Sequence, residues 1–450
     1  MRALPPGGPE RRPAERGKPS RREGDVSPFR ALRYSVFRTY WVGMLVSLVG
    51  TWMQSTAQSY LVYEITQSAL KTGMVMFAFS LPSLLFALPG GAVADRYDRR
   101  CLLLVTQGAF LVAAAVLAAF TFAGAVRFEL VLAFAFWNGL VMAVDNPTRQ
   151  ALVPTLVDRE DLANAVALNS AAFNASRVFG PALAGFVYKV LGPGWCFAAN
   201  ALSYLAVIVP LWRVRLPDRP PTAEEQGGIL RQAADGVRYV RGHSPVAALL
   251  LLLAAVGTFG FAWMVVMPAF AVRLLGGGPA ENGLLLTAVG VGATVGALAV
   301  ASTRSLDPAR TVALAAASGL GLMGFATTRT LLTASVTIAV SGFFLIAYMS
   351  STNATIQSLV DDRYRGRVMS LYTLALIGSG PAGSLFAGWL ADAAGVAASL
   401  AVNGALVVAS ALAAWLLAPG LGRAGRQDRF RGAGRADHRG HGDRAARPDL

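Results

Sequence analysis

Long apolar stretches alternate along the chain with short polar joints, and the apolar stretches run roughly 39–63, 73–94, 101–124, 128–150, 163–188, 195–213, 246–272, 281–301, 310–327, 331–357, 367–391 and 396–418. A helix rises 1.5 Å per residue and needs about 20 apolar residues to cross a hydrocarbon core about 30 Å thick. Each stretch is long enough to cross with some tilt. The predicted fold class is an all-α membrane protein with about twelve transmembrane helices.

The longest internal joint, 214–245, opens with Pro217, Pro220 and Pro221. It then sets Ile229, Leu230, Val237 and Val240 against Arg231, Asp235 and Arg238, the pattern of a short helix lying along the membrane surface. This linker divides the chain into two sets of six spans, 39–213 and 246–418. The sets repeat each other. At an offset of 203, Asp158 matches Asp361, Leu168 matches Leu371, Gly185 matches Gly388 and Asn200 matches Asn403; at 207, Asn146 matches Asn353 and Gln150 matches Gln357. Tandem six-helix repeats predict two pseudo-symmetric bundles about an axis normal to the membrane, with a substrate path between them.

Composition supports this reading: 54% of residues are hydrophobic and only 14% charged, where soluble chains hold about 25% charged. The net charge of +15 resides largely in two Arg-, Pro- and Gly-rich tails, 1–38 and 419–450, which hold too little apolar surface to fold and are read as disordered. If the amino terminus is cytoplasmic, the outward joints carry only Lys71, Arg127, Lys189, Arg273 and Arg329 as cations, so both termini are placed in the cytoplasm. The tails satisfy that rule and lie near anionic lipid; a nucleic-acid partner is not expected. No apolar core for a cleavable signal occurs in the first 25 residues. The two cysteines, Cys101 and Cys196, begin spans on opposite faces and cannot be bridged, and the three histidines show no metal spacing. Neither a metal nor another cofactor is expected.

Four stretches carry the chemistry. After the second span the chain reads GAVADRYDRR over 91–100. Span four ends in DNPTRQALVP over 145–154, span eleven opens with YRGRVMS over 364–370, and span one holds TWMQS over 51–55 followed by Gln58. With twelve spans and two halves, the chain resembles the major facilitator superfamily, and within it the efflux branch that includes enterobactin exporters and macrolide efflux proteins. The resemblance covers about residues 30 to 415. It implies the major facilitator fold, export of a small molecule such as a siderophore, a macrolide or another drug-like compound, alternating access, and protons as coupling ion.

The same positions have a physical reading. Gly91 permits close helix approach, and Asp95 is placed to face the positive amino-terminal end of span eleven near Gly366. That contact would latch the halves on the cytoplasmic side. Alternatively Asp95, Arg96, Arg99 and Arg100 solvate a loop and set topology. Asn138, Met142, Asp145 and Arg149 fall on one face of span four. Asp145 and Arg149 pair at i,i+4, or Asp145 pairs with Arg99; the pair closes the inner gate, or Asp145 carries protons. Arg177 precedes Gly180, Pro181 and Gly185, which resembles the glycine-proline motif of antiporters and suggests a bend at the interface between halves. Arg177 must face protein or water and is placed to meet an anionic substrate group. Gln54, Gln58, Asn138, Asn353 and Gln357 are further cavity candidates, while interhelical hydrogen bonding accounts for Asn200 and Asn403. Trp137, Trp263, Met264 and Met267 suit either a broad apolar ligand or plain packing.

An ATP-driven pump is excluded as a single-chain reading, because none of the three lysines, Lys18, Lys71 and Lys189, sits in a phosphate-binding loop. No loop gathers acid, base and nucleophile, so the chain is not read as an enzyme. The alternatives to export are a facilitator or importer of a small metabolite and a non-transporting membrane receptor or scaffold. A monomer is expected.

Overall fold

The computed structural model describes residues 27–213, 236–303 and 307–417. Among these the secondary structure is helical throughout. The first half contains α1 (Ser35–Thr66), α2 (Ala69–Leu85), α3 (Ala87–Arg96), α4 (Arg99–Phe122), α5 (Phe128–Leu152), α6 (Leu162–Leu191) and α7 (Pro193–Arg213). The second contains α8 (Ser244–Phe259), α9 (Ala262–Arg273), α10 (Pro279–Ala301), α11 (Pro308–Thr327), α12 (Leu331–Leu359), α13 (Asp362–Ala394) and α14 (Val396–Leu417).

Among the described residues, nine helices are long and apolar enough to cross a membrane, α8 and α9 joined counting as one. The pair α2–α3, bent by 57°, is a tenth. α1 and α6 follow the expected first and fifth spans at 32 and 30 residues, but they are more polar, holding Gln54 and Gln58 in one and Asn169, Asn174 and Arg177 in the other.

Local chemistry sets the helix ends. Ser68 Oγ accepts from the Lys71 amide at the start of α2, Asp98 from the Cys101 amide at α4, Asp307 from the Ala309 amide at α11 and Thr330 from the Thr333 amide at α12. α6 and α13 both stop at a glycine with positive φ, Gly192 at 91° and Gly395 at 93°. These two are related by the same offset of 203, so the repeat extends to turn geometry where a side chain is strained.

The halves pack as separate bundles. α1 packs on α6 and α7, and α5 on α2 and α4; in the second half α12 packs on α10 and α11, and α14 on α11 and α8. Trp263 and Met267 are buried in the second bundle's core, which settles them as packing residues. Trp137 instead lines an open apolar groove of about 490 Å³ between α4 and α5, together with Gly108, Val112 and Phe134.

Two expectations about the joints change. The amino-terminal segment, expected to be disordered to residue 38, is ordered from residue 27. Asp161, 1% exposed, accepts from Arg30 (2.8 Å), Arg33 (2.7 Å) and the Tyr34 hydroxyl (2.8 Å), and Tyr34 also reaches Asp158. Three donors on one buried carboxylate hold this segment to the α5–α6 joint, an attraction between residues about 130 apart that composition does not reveal. The amphipathic run over 229–240 lies outside the described residues up to 235; residues 236–241 are helical. There Tyr239 stacks on Tyr364 at 4.4 Å, tying the end of the linker to the start of α13.

Candidate functional site between the bundles

The bundles meet along two antiparallel helix pairs, α2 with α13 and α6 with α10. Chain direction gives each pair a near end, on the side of residues 27–34 and 417, and a far end. The far end is tightly closed. A Cβ at Gly73 would strike the Ser384 carbonyl, and one at Gly388 would lie 2.6 Å from the Ala69 carbonyl oxygen. Likewise a Cβ added at Gly185 would lie 2.9 Å from the Pro279 carbonyl oxygen, one at Gly283 2.5 Å from that of Pro181, and one at Gly290 2.8 Å from that of Arg177. Missing side chains thus let backbones of opposite halves touch.

Polar contacts seal the same end. Asp392, at the carboxyl end of α13, accepts from Ser68 Oγ (2.6 Å) and from the amides of Ala69 (2.9 Å) and Leu70 (3.0 Å) at the amino end of α2. An anion here meets the unpaired amides and positive end of the α2 dipole. Arg273 donates to the Gln67 carbonyl at 2.8 Å and lies over the Tyr63 ring. Within the first half, Tyr188 donates to Glu64 and packs edge-on against Tyr60.

At the near end the same faces separate. On α6, Pro181 and Gly185 are buried against α10 of the second half, with Ala184 and Tyr188 buried beside them against α1, but the continuation of this stripe through Phe173, Ser170 and Val166 is exposed. α13 repeats this, with Gly388, Ser384 and Pro381 buried and Ile377, Leu374 and Ser370 exposed. The bundles therefore enclose a cleft that opens at the near end.

The sequence-predicted residues divide accordingly. Gly91 and Gly366 both look into open space, Asp95 and Arg96 are exposed, and α3 packs on α5 of its own half, so the Asp95–Gly366 latch is not engaged in this conformation. The rest of that motif serves helix ends: Arg99 donates to the Ala151 carbonyl, and Arg100 donates to those of Leu211 and Trp212, capping α7.

Asp145 does pair with Arg149, at 2.5 Å, and not with Arg99. It also accepts from Thr106 (2.7 Å) and Gln107 (2.8 Å) of α4. It is 1% exposed, and Arg149 neighbours Tyr40 of α1. The pair is thus a staple inside the first bundle, not a gate between bundles. The α5 face that carries it turns inward, because Met142 on that face packs against Phe110, Ala114 and Tyr204. Asn138 shares this face, with its Oδ1 enclosed and unpaired among the described residues.

Gln54 corrects the cavity expectation. It is buried and its Oε1 accepts from Asn200 of α7 at 2.8 Å, so it joins helices within one bundle. Gln58 is half-buried without a hydrogen bond to the described residues. Asn353 and Gln357 bond to each other at 2.6 Å, as their repeat partners Asn146 and Gln150 do at 3.2 Å; both glutamines are exposed. α6 continues helical through Pro181, and Gly180 packs onto Trp52 and Val49 of α1 while Gly185 packs onto α10. The glycine-proline motif acts here through close approach.

Asp392 and Asn282 escaped sequence reasoning. Asn282 on α10 is fully buried and neither side-chain polar atom has a partner among the described residues. Asp392 had one available signal, an acid at a span end; its partner, 324 residues away, had none.

A family model described as transmembrane secretion effector matches residues 26–423. The chain is 25% identical over 361 residues to the staphyloferrin A transporter of Staphylococcus aureus, covering 79% of this chain and 89% of that protein. It is 24% identical over 395 residues to macrolide efflux protein A of Streptococcus pyogenes, covering 84% and 94%. It is 24% identical over 265 residues to the enterobactin exporter EntS of Citrobacter koseri, covering 59% and 63%. Among solved structures it resembles an inward-facing, unoccupied bacterial homolog of the human lysosomal transporter Spinster (TM-score 0.66, 16% identity, 90% and 98% covered). It also resembles the nucleoside transporter NupG (TM-score 0.67, 12% identity, 85% and 98% covered).

Proposed function

The chain belongs to the transmembrane secretion effector family of the major facilitator superfamily, and on that footing we propose that it exports a small molecule from the cytoplasm by alternating access driven by proton antiport. The observation that carries the reading is the cleft between the bundles, sealed at the far end by Asp392 and the glycine contacts and open at the near end. With both termini cytoplasmic, this is the state that loads an exporter from inside. In the opposite state Asp95 would reach the amino end of α13 near Gly366, so that α2 and α13 are latched by a carboxylate at one end or the other, never both. The relatives' names suggest a siderophore or a macrolide as cargo, carried by a monomer.

The test uses the purified protein in liposomes oriented with the termini outside, with staphyloferrin A, enterobactin or erythromycin supplied in parallel in the outer medium, the side that corresponds to the cytoplasm. An imposed proton gradient is expected to drive uphill movement of one of them, and collapsing it with a protonophore to leave only equilibration. Equilibration whatever the gradient marks a facilitator, a reading favoured by the fact that Asp145, the buried carboxylate within a span, is already fully bonded. Movement of none of the three removes the proposed cargo classes.

A further inference from the structure

Arg177 stands apart from the other membrane-embedded charges. It lies 15 residues from Leu162 and 14 from Leu191, the two ends of α6. At 1.5 Å per residue that is about 22 Å from either end, so it sits near the middle of the span. An arginine at this depth is costly unless it is paired or meets water. Asp145–Arg149 shows how this protein pairs a buried charge. Arg177 has no such partner: among the described residues it makes no ion pair and no hydrogen bond through its guanidinium, and its contact is with the Trp52 ring, 6.0 Å from the centroid.

Its place in the cleft is set by the exposure pattern of α6. The apolar side chains Phe179, Phe186 and Val190 are exposed on the opposite face. On Arg177's own face, the residues towards the near end are open, Val166 at 51% and Phe173 at 47%. Those towards the far end are closed, Ala184 at 1% and Tyr188 at 7%. The change from open to closed happens at Arg177. Its guanidinium nitrogens, unlike Arg149 Nη1, are not sealed from solvent. The side chain is therefore a cation at the apex of the cleft, backed by an aromatic ring, with its donors free.

We propose that Arg177 is the point at which the transported molecule is recognised, and that this molecule carries an anionic group, a carboxylate being the best geometric match to a guanidinium fork. The planar donors fit a carboxylate through two parallel, charge-assisted hydrogen bonds. Trp52 and Phe173, edge to face at 5.9 Å, supply an apolar wall for the body of the ligand. Lipid phosphate is the other common anion, but it lies at the bilayer surface, roughly 15 Å from the midplane. The inference rests on the exporter reading for its physiological meaning.

The test is binding of paired probes to the full-length protein in nanodiscs: pyrenebutyrate, citrate and salicylate, each against its neutral amide. The acid of at least one pair is expected to bind roughly tenfold or more tightly than its amide, a difference of about 1.4 kcal/mol. Arg177→Gln should abolish the preference, while Arg177→Lys keeps part of it. Melting of the same variants separates recognition from a structural role. An unpaired cation does not hold the fold together, so Arg177→Gln should melt no lower than the wild type. Equal binding of acid and amide in every pair, an acid preference that survives Arg177→Gln, or a large loss of melting temperature would overturn the inference. Transport is scored separately with the three cargo compounds. Export that Arg177→Gln leaves unchanged keeps the exporter and discards the anion site. Arg177-dependent acid binding without export does the reverse.

Discussion

Asp145 and Thr352 occupy equivalent positions in the two halves, as do Arg149 and Ile356, and their environments explain the divergence. Asp145 is enclosed by Thr106, Gln107 and Arg149. Thr352 is equally buried beside Tyr348. One half has a compensated ion pair where the other has a hydroxyl and an alkyl chain. Breaking one side of a buried pair strands the other charge, whereas replacing both sides is far less costly. Asp145→Asn or Arg149→Ile alone is therefore expected to cost about 3 kcal/mol of stability. The double change Asp145→Thr with Arg149→Ile, which copies the second half, should cost less than either single change. Melting of all variants with Asp145→Thr added as the missing corner closes the cycle. A double variant as damaged as the sum of its singles would show that the two charges do not act as a unit.

At the scale of helices, antiparallel packing puts the carboxyl end of α13 beside the amino end of α2, and alternating access as proposed above requires this pair to take a second arrangement. Asp392 uses one such end; under the alternating-access proposal Asp95, at the carboxyl end of α3, would use the other in the opposite state. Removing a carboxylate cap costs about 1 kcal/mol, which changes a two-state ratio roughly fivefold. Asp392→Asn should accordingly widen the far end, and Asp95→Asn should leave it closed; spin labels on the far ends of α2 and α13 would report the separation. Unchanged distances in Asp392→Asn would discount the latch. Most of the helix pattern was legible in the sequence, since span length, Gly192 and Gly395 are local signals. The site was only partly legible. Gln54 and Gln58 sit one turn apart on a helix packed on most sides, and nothing local tells that one turns to Asn200 while the other does not. The Asp392–Ser68 contact depends on tertiary geometry alone.

For the whole molecule the remaining question is orientation, on which inward loading and export both depend. Charge decides it: the joints at the far end carry Lys71, Arg127, Lys189, Arg273 and Arg329, whereas the near end carries the arginines of 91–100 and 361–367 together with Arg30 and Arg33. Cationic joints are retained on the cytoplasmic side, which predicts that the near end faces the cytoplasm. The two native cysteines make a direct test. Cys101 is exposed at the near end, just after the Asp98 cap of α4. Cys196 is buried at the far end, its Sγ lying against the Ala184 carbonyl. An impermeant maleimide added to intact cells should leave both unmodified. Added to inside-out vesicles, it should label Cys101 and spare Cys196, with Cys101→Ser as the blank. Cys196 should react only after denaturation. Labelling of Cys101 from outside intact cells would invert the molecule, turn the open cleft towards the exterior, and make loading for import the reading to test.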